Sequence, residues 1–211
     1  SISINGQKLA LKDGVDVYSA VADTAVEVAV DAPEGANVYI NDVYGKSAKF
    51  DSLNHRMVRV VVQEGEKEPV IYYVNLKTQA QADEDAVADV IAKIDAIGTV
   101  TLDSKKAIDA ARKAYDKLTA AQQARVSNYA ALTAAETTYA KLVQDKADED
   151  AVADVIAKID AIGKVTKDSG SSIKAARKAY DALSDAQKEL VTNYQTLLDA
   201  EKSYKKLTRP T

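Results

Sequence analysis

Few side chains in this 211-residue chain are suited to catalysis. It contains no cysteine and a single histidine, His55, which excludes thiol nucleophiles, thiolate metal sites and paired-histidine chemistry. A Ser-His-Asp triad would have to use His55, yet this residue lies near a predicted strand start, and no serine of the N-terminal region has a nucleophile-elbow motif. We therefore interpret His55 as a surface or turn residue and predict that the chain is not itself an enzyme.

The carboxylates are numerous, but their spacing favours helix ends over a metal or catalytic site. Asp83-Glu84-Asp85 recurs as Asp148-Glu149-Asp150, each time before an apolar helical pattern. At a helix start, such residues cap free amides and complement the helix dipole. Metal binding is the alternative interpretation, but EF-hand spacing is missing, as is a glycine-rich phosphate loop. The sequence predicts no metal site and no cofactor.

Tyrosine is the residue type that points to ligand binding, since the chain has 11 tyrosines against one phenylalanine and no tryptophan. In the alternating pattern, Tyr39, Asn41 and Tyr44 lie on the face opposite to Val38 and Ile40. A flat tyrosine and asparagine surface can stack on a sugar ring, so these three are candidate carbohydrate-binding residues. The alternative is that a second sheet covers them. Six further tyrosines lie on or beside helical apolar stripes and are interpreted as core aromatics: Tyr115, Tyr129, Tyr139, Tyr180, Tyr194 and Tyr204.

The first 78 residues carry the period-two alternation of half-buried strands. Turn signals containing glycine separate the runs. Several short strands at this spacing predict a small antiparallel β-sandwich. The alternating apolar positions are Val26, Val28 and Val30, then Val38 and Ile40, then Val58, Val60 and Val62, and finally Val70, Tyr72, Val74 and Leu76.

From residue 79 the composition changes to alanine, lysine, aspartate and leucine, and apolar residues recur at helical spacing. Asp83, Asp103-Ser104 and Thr119 are candidate helix starts, and the segment Thr133 to Glu136 also has capping-box spacing. Three amphipathic helices between residues 79 and 143 predict a three-helix bundle. Their stripes are Val87, Val90, Ile91, Ile94 and Ile97; Ile108, Ala111, Tyr115 and Leu118; and Tyr129, Leu132, Ala135, Tyr139 and Leu142.

A tandem duplication repeats this helical pattern. Residues 82–142 align with residues 147–207 without a gap, and 41 of the 61 positions are identical, including all of 82–98. The first helix also keeps its outward polar residues, so Lys93 and its copy Lys158 are candidate members of a repeated binding face. The alternatives are recent duplication with uneven drift, or contact between this helix and a neighbouring module.

The junction between the copies, residues 142–148, holds no glycine or proline. We therefore expect the last helix of the first copy to continue into the first helix of the second, as in spectrin-like arrays. The alternative is that a new helix starts at Asp145 or Asp148.

Residues 1–78 resemble the cadherin-like β-sandwich domains of bacterial surface proteins. The resemblance lies in the segments 17–21, 26–32, 38–41, 58–62 and 72–76. Asn41-Asp42 stands where that family usually has Asn-Gly, and its Gly-x-Asn before the penultimate strand is absent around His55. The resemblance implies a β-sandwich on an extracellular protein, without implying calcium binding.

The helical units resemble the alanine-rich three-helix repeats of secreted and wall-anchored Gram-positive proteins. They are similar in size and topology to FIVAR ("found in various architectures") modules, without the tryptophan often seen there. In such proteins these modules sit beside a catalytic or adhesive domain, which implies an extracellular location. The resemblance is carried by Ile97-Gly98-x-Val100-Thr101, Ala111-Arg112-x-Ala114-Tyr115-Asp116-x-Leu118, Val126-x-Asn128-Tyr129-x-x-Leu132 and Ala135-Glu136-x-x-Tyr139.

The predicted fold is therefore multidomain β plus α and elongated: a β-sandwich over 1–78, then three-helix bundles over 79–143 and 144–208. We expect a non-catalytic spacer and interaction region of a secreted or cell-surface multimodular bacterial protein, presenting a neighbouring adhesive or catalytic domain. The alternative is a carbohydrate- or host-protein-binding module, as in an adhesin or a glycoside hydrolase accessory domain. The chain ends read as those of a fragment cut from a longer protein.

The predicted partners are neighbouring domains of the same polypeptide, and a glycan or a host or cell-wall protein. A net charge of -4 argues against a dedicated nucleic-acid binder. No apolar run approaches the roughly 18 residues of a membrane span, so the sequence predicts no membrane insertion.

Overall fold

The computed structural model describes residues 1–51 and 54–209, with strands in the first 77 residues and helices after them. The chain divides into two compact units, residues 1–93 with 113–127 and residues 94–112 with 128–211. The predicted three-domain division remains a prediction. The sequence predicts that Thr208-Arg209-Pro210-Thr211 starts a linker, and Pro210 and Thr211 of that segment lie outside the described residues.

The β region contains two sheets. One sheet has four strands in the order β2-β1-β4-β7, and the other has five in the order β3-β9-β8-β5-β6. The strands are β1 Ile2–Ile4, β2 Gln7–Lys8, β3 Val17–Val21, β4 Ala25–Val30, β5 Asn37–Ile40, β6 Val43–Tyr44, β7 Ser47–Asp51, β8 Met57–Gln63 and β9 Val70–Lys77.

The buried residues of both sheets form one apolar cluster. Val28 of the four-stranded sheet and Val58, Val60 and Val74 of the five-stranded sheet have no exposed surface. These are inward positions of the alternating pattern, and burying each valine contributes about 1.5–3 kcal/mol relative to exposing it. The period-two pattern therefore identified the core-facing side of these strands.

The expectation of a wholly antiparallel β region is wrong at one strand pair. β3 pairs with β9 in parallel, with Val17 opposite Tyr73 and Val21 opposite Lys77. Alternation reports which face a side chain takes and carries no information about strand direction. The pairing joins segments that are far apart in the chain, which local patterns do not encode.

The helices are α1 Gln79–Asp95, α2 Lys105–Asp116, α3 Ala120–Gln123, α4 Tyr129–Asp160, α5 Gly170–Asp181, α6 Asp185–Glu189 and α7 Tyr194–Leu207. α1 begins one turn before the predicted start at Asp83. Its first turn is held by Thr78, whose Oγ1 accepts from the Gln81 backbone N–H while the Gln81 Oε1 accepts from the Thr78 backbone N–H. This reciprocal capping box satisfies two free amides, so Asp83 is not needed as a cap.

The predicted starts of the next helices are partly confirmed. Thr119 caps α3 in a capping box with Gln122. Thr101 caps a short 3-10 turn, Leu102–Ser104, that leads into α2. Thr133 caps nothing, because it lies inside α4 and its hydroxyl donates to the Ala130 carbonyl oxygen. Local capping-box spacing occurs by chance within a helix, where the backbone amides already have partners.

The predicted third helix of each repeat is interrupted. In the first copy, α3 ends at Gln123 and α4 begins at Tyr129. Val126 lies between them and is buried, as is its copy Val191. Residues 124–128 contain no glycine or proline, so helical periodicity alone did not reveal this break.

The two copies bury largely the same positions, although Leu183 is buried and its counterpart Leu118 is half-buried. Nine buried residues of the first copy recur 65 positions later as buried residues of the same type. In the second copy, α4, α5 and α7 contribute to one apolar cluster. The matched pairs are Val87/Val152, Val90/Val155, Ile94/Ile159, Ile97/Ile162, Ile108/Ile173, Ala111/Ala176, Val126/Val191, Leu132/Leu197 and Ala135/Ala200.

The expected continuity of the junction helix is confirmed. α4 runs without interruption for 32 residues from Tyr129 to Asp160, which is about 48 Å at 1.5 Å per residue. The predicted boundary at 143/144 therefore falls inside a helix. The alternative of a new helix starting at Asp145 or Asp148 is wrong, since both residues lie in its interior.

Candidate functional site

One face of the five-stranded sheet carries apolar and aromatic side chains on the side opposite to the shared core. The register places Tyr44 opposite Tyr39, and Tyr39 opposite Val61. Val61 in turn lies opposite Ile71 on β9. Cross-strand neighbours on one face are about 4.5–5.5 Å apart at Cβ, so these side chains form a continuous row. We call the following six residues the tyrosine face: Tyr39, Tyr44, Arg59, Val61, Ile71 and Tyr73.

Tyr39 and Tyr44, the two predicted stacking residues, lie side by side at the edge of this face. Their ring centroids are 5.6 Å apart and their planes meet at 67°. Tyr44 is 67% exposed and Tyr39 is half-buried. Because the rings are edge-to-face, they do not form one flat platform. The pair is suited to stacking one sugar ring on Tyr44 while Tyr39 supports it.

Asn41 belongs to the turn that holds these rings together. Asn41 and Asp42 have φ angles of 48° and 66°, the two left-handed positions of a type I′ hairpin turn between β5 and β6. The Asn41 Oδ1 accepts from the Arg59 backbone N–H at 2.8 Å. Asn41 was predicted to belong to a carbohydrate-binding surface, and its side-chain oxygen instead anchors the β5–β6 turn to β8.

The remaining members of the tyrosine face were not identified from the sequence. Arg59 lies opposite Tyr73, and its Nη1 contacts the Asp42 Oδ1 at 2.5 Å. Val61 is only 9% exposed although it is on the outer face. An available signal was that β8 is apolar at Val61 as well as on its core face. A strand with apolar residues on both faces indicates a covered or interacting outer face.

The outer face of the four-stranded sheet is polar by comparison. Glu27 on β4 lies opposite Lys49 on β7, and their charged groups are 3.3 Å apart. Ser3 lies on the same face of β1, opposite Ala29. This is the usual composition of a solvent-facing sheet surface. The two outer faces therefore differ in composition, and the tyrosine face is the more apolar and aromatic of the two.

Lys93 and Lys158, the other predicted binding residues, each form a local ion pair. Lys93 Nζ contacts the Asp89 carboxylate and Lys158 Nζ contacts the Asp154 carboxylate, one turn earlier on the same helix. All four side chains are exposed at 40% or more. Exposed pairs of this kind contribute about 0.3–0.5 kcal/mol.

Hydrogen bonds within each repeat account for two other retained polar residues of the first helix, Asp83 and Asp95. The Asp83 carboxylate accepts from the Gln122 side-chain amide at 2.7 Å, and Asp95 accepts from Asn128 at 2.8 Å. The equivalent bonds in the second copy are Asp148 with Gln187 and Asp160 with Asn193. The two acidic triplets thus lie within helices rather than at their starts, which corrects their interpretation as caps. Packing of each repeat therefore constrains these positions without an external ligand.

A half-buried ion pair between an arginine and a glutamate recurs in both repeats. Arg112 and Arg177 each donate two hydrogen bonds, at 2.7 and 2.8 Å, to Glu136 and Glu201 respectively. These bonds raise the pKa of both guanidinium groups and lower the pKa of the Glu136 carboxyl. Tyr194 adds a ring contact, with the Arg177 guanidinium carbon 5.5 Å from its centroid. The arrangement is suited to fixing neighbouring helices, with both charges already paired.

His55 is exposed on the turn after β7. Its ring packs against Phe50 at a centroid distance of 5.1 Å, and its Nδ1 lies 3.3 Å from the Asp51 carbonyl oxygen. Within residues 1–51 and 54–209, no three acidic or histidine side chains converge to hold a metal ion. None of the helices in those ranges combines the length and apolarity needed to cross a bilayer.

Comparisons with models of known protein families, with curated protein sequences and with solved structures found no match to this chain.

Proposed function

We propose that this chain is a non-catalytic region of a secreted or cell-surface multimodular bacterial protein, where it spaces and presents a neighbouring adhesive or catalytic domain. In this proposal, residues 1–78 are a cadherin-like β-sandwich and the two repeats are FIVAR-like three-helix bundles of Gram-positive type. Its first partners are the neighbouring domains of the same polypeptide.

The observation that carries the proposal is the continuity of α4. This helix passes from the first repeat into the second for about 48 Å without a glycine or proline. A continuous helix resists bending, whereas a glycine- and serine-rich linker behaves as a flexible coil. A stiff connection between repeats is what a spacer requires.

The buried clusters support the finer fold. The two sheets share one apolar core, as two packed sheets of a sandwich do. The second copy buries one stripe from each of α4, α5 and α7, as expected for a three-helix bundle. The identical buried positions of the first copy support the same fold there.

The stiffness of the junction can be measured within α4. Nitroxide labels at the exposed positions Thr137 and Ala157 span 20 residues, so we expect a narrow distance distribution near about 30 Å, broadened by the label linkers. A variant with three glycines in place of residues 144–146 should broaden it, because glycine disfavours helix by about 1 kcal/mol per residue. A broad distribution in the unmodified sequence would contradict the spacer proposal.

A second candidate function is recognition of a carbohydrate by the tyrosine face. The specific observation is the exposed Tyr44 ring supported by Tyr39 on a face that is apolar, opposite a sheet whose outer face is polar. Aromatic anchors of binding sites often contribute 2 kcal/mol or more. Host-protein binding by the same face is the alternative outcome.

A glycan array probed with the whole chain tests this candidate. We expect the double variant Tyr39→Ala, Tyr44→Ala to lose at least about tenfold in affinity for any glycan bound by the unmodified chain. The matched control is Glu27→Ala, Lys49→Ala on the other sheet, which should bind normally. Unchanged binding by the tyrosine variant would remove this face from consideration.

A further inference from the structure

The two repeats diverge sharply at the start of their second long helix. In the first copy α2 begins Lys105-Lys106-Ala107 and continues through Ile108 to Asp109. In the second copy α5 begins Gly170-Ser171-Ser172 and continues through Ile173 to Lys174. The buried isoleucine is common to both copies, so the core is unchanged while the surface above it differs.

The glycine in the second copy leaves room for an aromatic ring. A Cβ atom at Gly170 would lie 2.3 Å from the Tyr204 hydroxyl oxygen and 2.7 Å from its Cζ, which is far inside contact distance. The outer end of the Tyr204 ring therefore lies where the Cβ atom of another residue at position 170 would stand, so such a residue would displace the ring. In the first copy this position holds Lys105, whose Nζ pairs with the Asp109 carboxylate at 2.8 Å.

A groove of about 480 Å³ lies between α5 and α7, and both Gly170 and Tyr204 line it. It runs from Gly170 to Asp181, which is about 16 Å along the helix. The Tyr204 ring and buried Ile173 contribute apolar surface, and Lys174 and Lys178 line it one helical turn apart. Volumes of this size are typical of small-ligand sites.

The charge of the groove also differs from that of the first copy. Lys174 replaces Asp109, so a paired carboxylate becomes an ammonium group. In the described part of the chain, neither Lys174 nor Lys178 has a carboxylate within ion-pair distance. Arg177 is bonded to Glu201 at the base of the groove. The groove is therefore lined by three cationic side chains and by the carboxylates of Asp181 and Glu201. Arg177 pairs with both carboxylates, so the unpaired charges are the two lysine ammonium groups.

We propose that this groove binds an acidic oligosaccharide, a chain of pyranose sugars that carry carboxylates. Its carboxylates pair with the ammonium groups of Lys174 and Lys178, whose Cβ atoms are about 5–6 Å apart as neighbours at i and i+4. An apolar sugar face packs on the Tyr204 ring and the aliphatic lysine stems. The groove is separate from the tyrosine face and from the α4 junction, so the proposal stands independently of the functions proposed above.

The test is a titration of the ¹⁵N-labelled whole chain with trigalacturonate at 150 mM salt, followed by backbone amide shifts. We expect saturable shifts confined to α5 and α7, and no comparable response to the neutral trisaccharide maltotriose. The double variant Gly170→Lys, Lys174→Asp gives the second copy the residues of the first copy, and should bind at least tenfold more weakly. In the converse variant, Lys105→Gly with Asp109→Lys, trigalacturonate should also shift the backbone amide signals of α2.

Several outcomes would overturn the proposal. These are the absence of shifts in α5 and α7, equal shifts with maltotriose, and unchanged affinity in the double variant. Tighter binding of a glutamate hexapeptide than of trigalacturonate would assign the groove to an acidic protein segment instead. The single variant Lys174→Asp, checked for folding by circular dichroism, provides the same comparison if the double variant does not fold.

Discussion

The two helical repeats share most of their interior residues, whereas their surfaces differ mainly outside the first helix. Leu132 and Leu197 are fully buried at equivalent positions, and so are Ala111 and Ala176. By contrast, the Lys105–Asp109 ion pair of the first copy has no equivalent in the second. A close-packed interior position is constrained by every neighbour, whereas exposed substitutions usually change stability by less than about 0.5 kcal/mol. Duplication therefore kept the buried residues of each repeat while parts of its surface changed.

The largest expected effect tests the equivalence of the two interiors. Leu132→Ala and Leu197→Ala should each lower the free energy of unfolding by about 2–5 kcal/mol, because each removes a fully buried side chain and leaves a cavity. Urea unfolding of the whole chain, followed by circular dichroism, measures both. Losses that differ between the two variants by more than about 2 kcal/mol would break the equivalence, since that exceeds ordinary context dependence at matched sites.

The next effect compares the start of the first helix in the two repeats, which is a helix end in the first copy and a helix interior in the second. Gln79 is the first residue of α1, whereas its counterpart Gln144 lies in the middle of α4. Gln144→Pro should cost about 3 kcal/mol or more, because proline removes a helical hydrogen bond and clashes with the preceding turn.

Gln79→Pro is the matched control for this helix. Proline is tolerated at the first helical position, so the variant should cost only about 1 kcal/mol for the lost bond from the Gln79 N–H to the Asp23 Oδ1. Helix content at 222 nm and urea unfolding would be measured together. Equal losses of unfolding free energy in Gln144→Pro and Gln79→Pro would contradict a continuous α4.

A smaller effect concerns the recurrent ion pair. Glu136→Gln and Glu201→Gln should each cost about 1–3 kcal/mol at pH 7, since each removes one charge from a bidentate pair of identical geometry. Because the folded pKa of Glu136 lies below its unfolded value of about 4.3, its contribution is complete above that value and is lost as the pH falls through the folded pKa.

Urea unfolding between pH 7 and pH 2 measures this dependence. The difference between the unmodified chain and Glu136→Gln should be constant near neutral pH and shrink below about pH 4. A difference that grew on acidification would show that the pair does not stabilise the fold through the ionised carboxylate.

The smallest effect concerns the exposed lysines of the first helices. Lys93→Ala and Lys158→Ala should each change the free energy of unfolding by no more than about 0.5 kcal/mol, because each pair is exposed and local. Thermal unfolding at low and high salt checks this. A loss above 1 kcal/mol in either variant would indicate that its lysine makes contacts beyond its aspartate partner.

The candidate site was predictable only in part. Tyr39 and Tyr44 were found because alternation places them opposite the core face, and this depends only on neighbours in the chain. Val61, Ile71 and Tyr73 were missed because they join the site through strand register, which pairs residues distant in sequence. The groove at Gly170 was missed for the same reason, since its shape depends on a tyrosine 34 residues away.

Local sequence patterns specified the change from strands to helices after residue 77, most of the core-facing positions, the duplication and the continuous junction helix. Each of these follows from a repeating local pattern, because side-chain direction repeats every 2 residues in a strand and every 3.6 in a helix. The interpretation of the six repeat tyrosines as core aromatics is wrong for Tyr129, which is 37% exposed, and the other five are half-buried. Local patterns did not reveal the parallel pairing of β3 with β9, the contacts of the acidic triplets, or the interruption at Val126. The first two depend on contacts between segments distant along the chain, where packing and hydrogen bonding override local propensity.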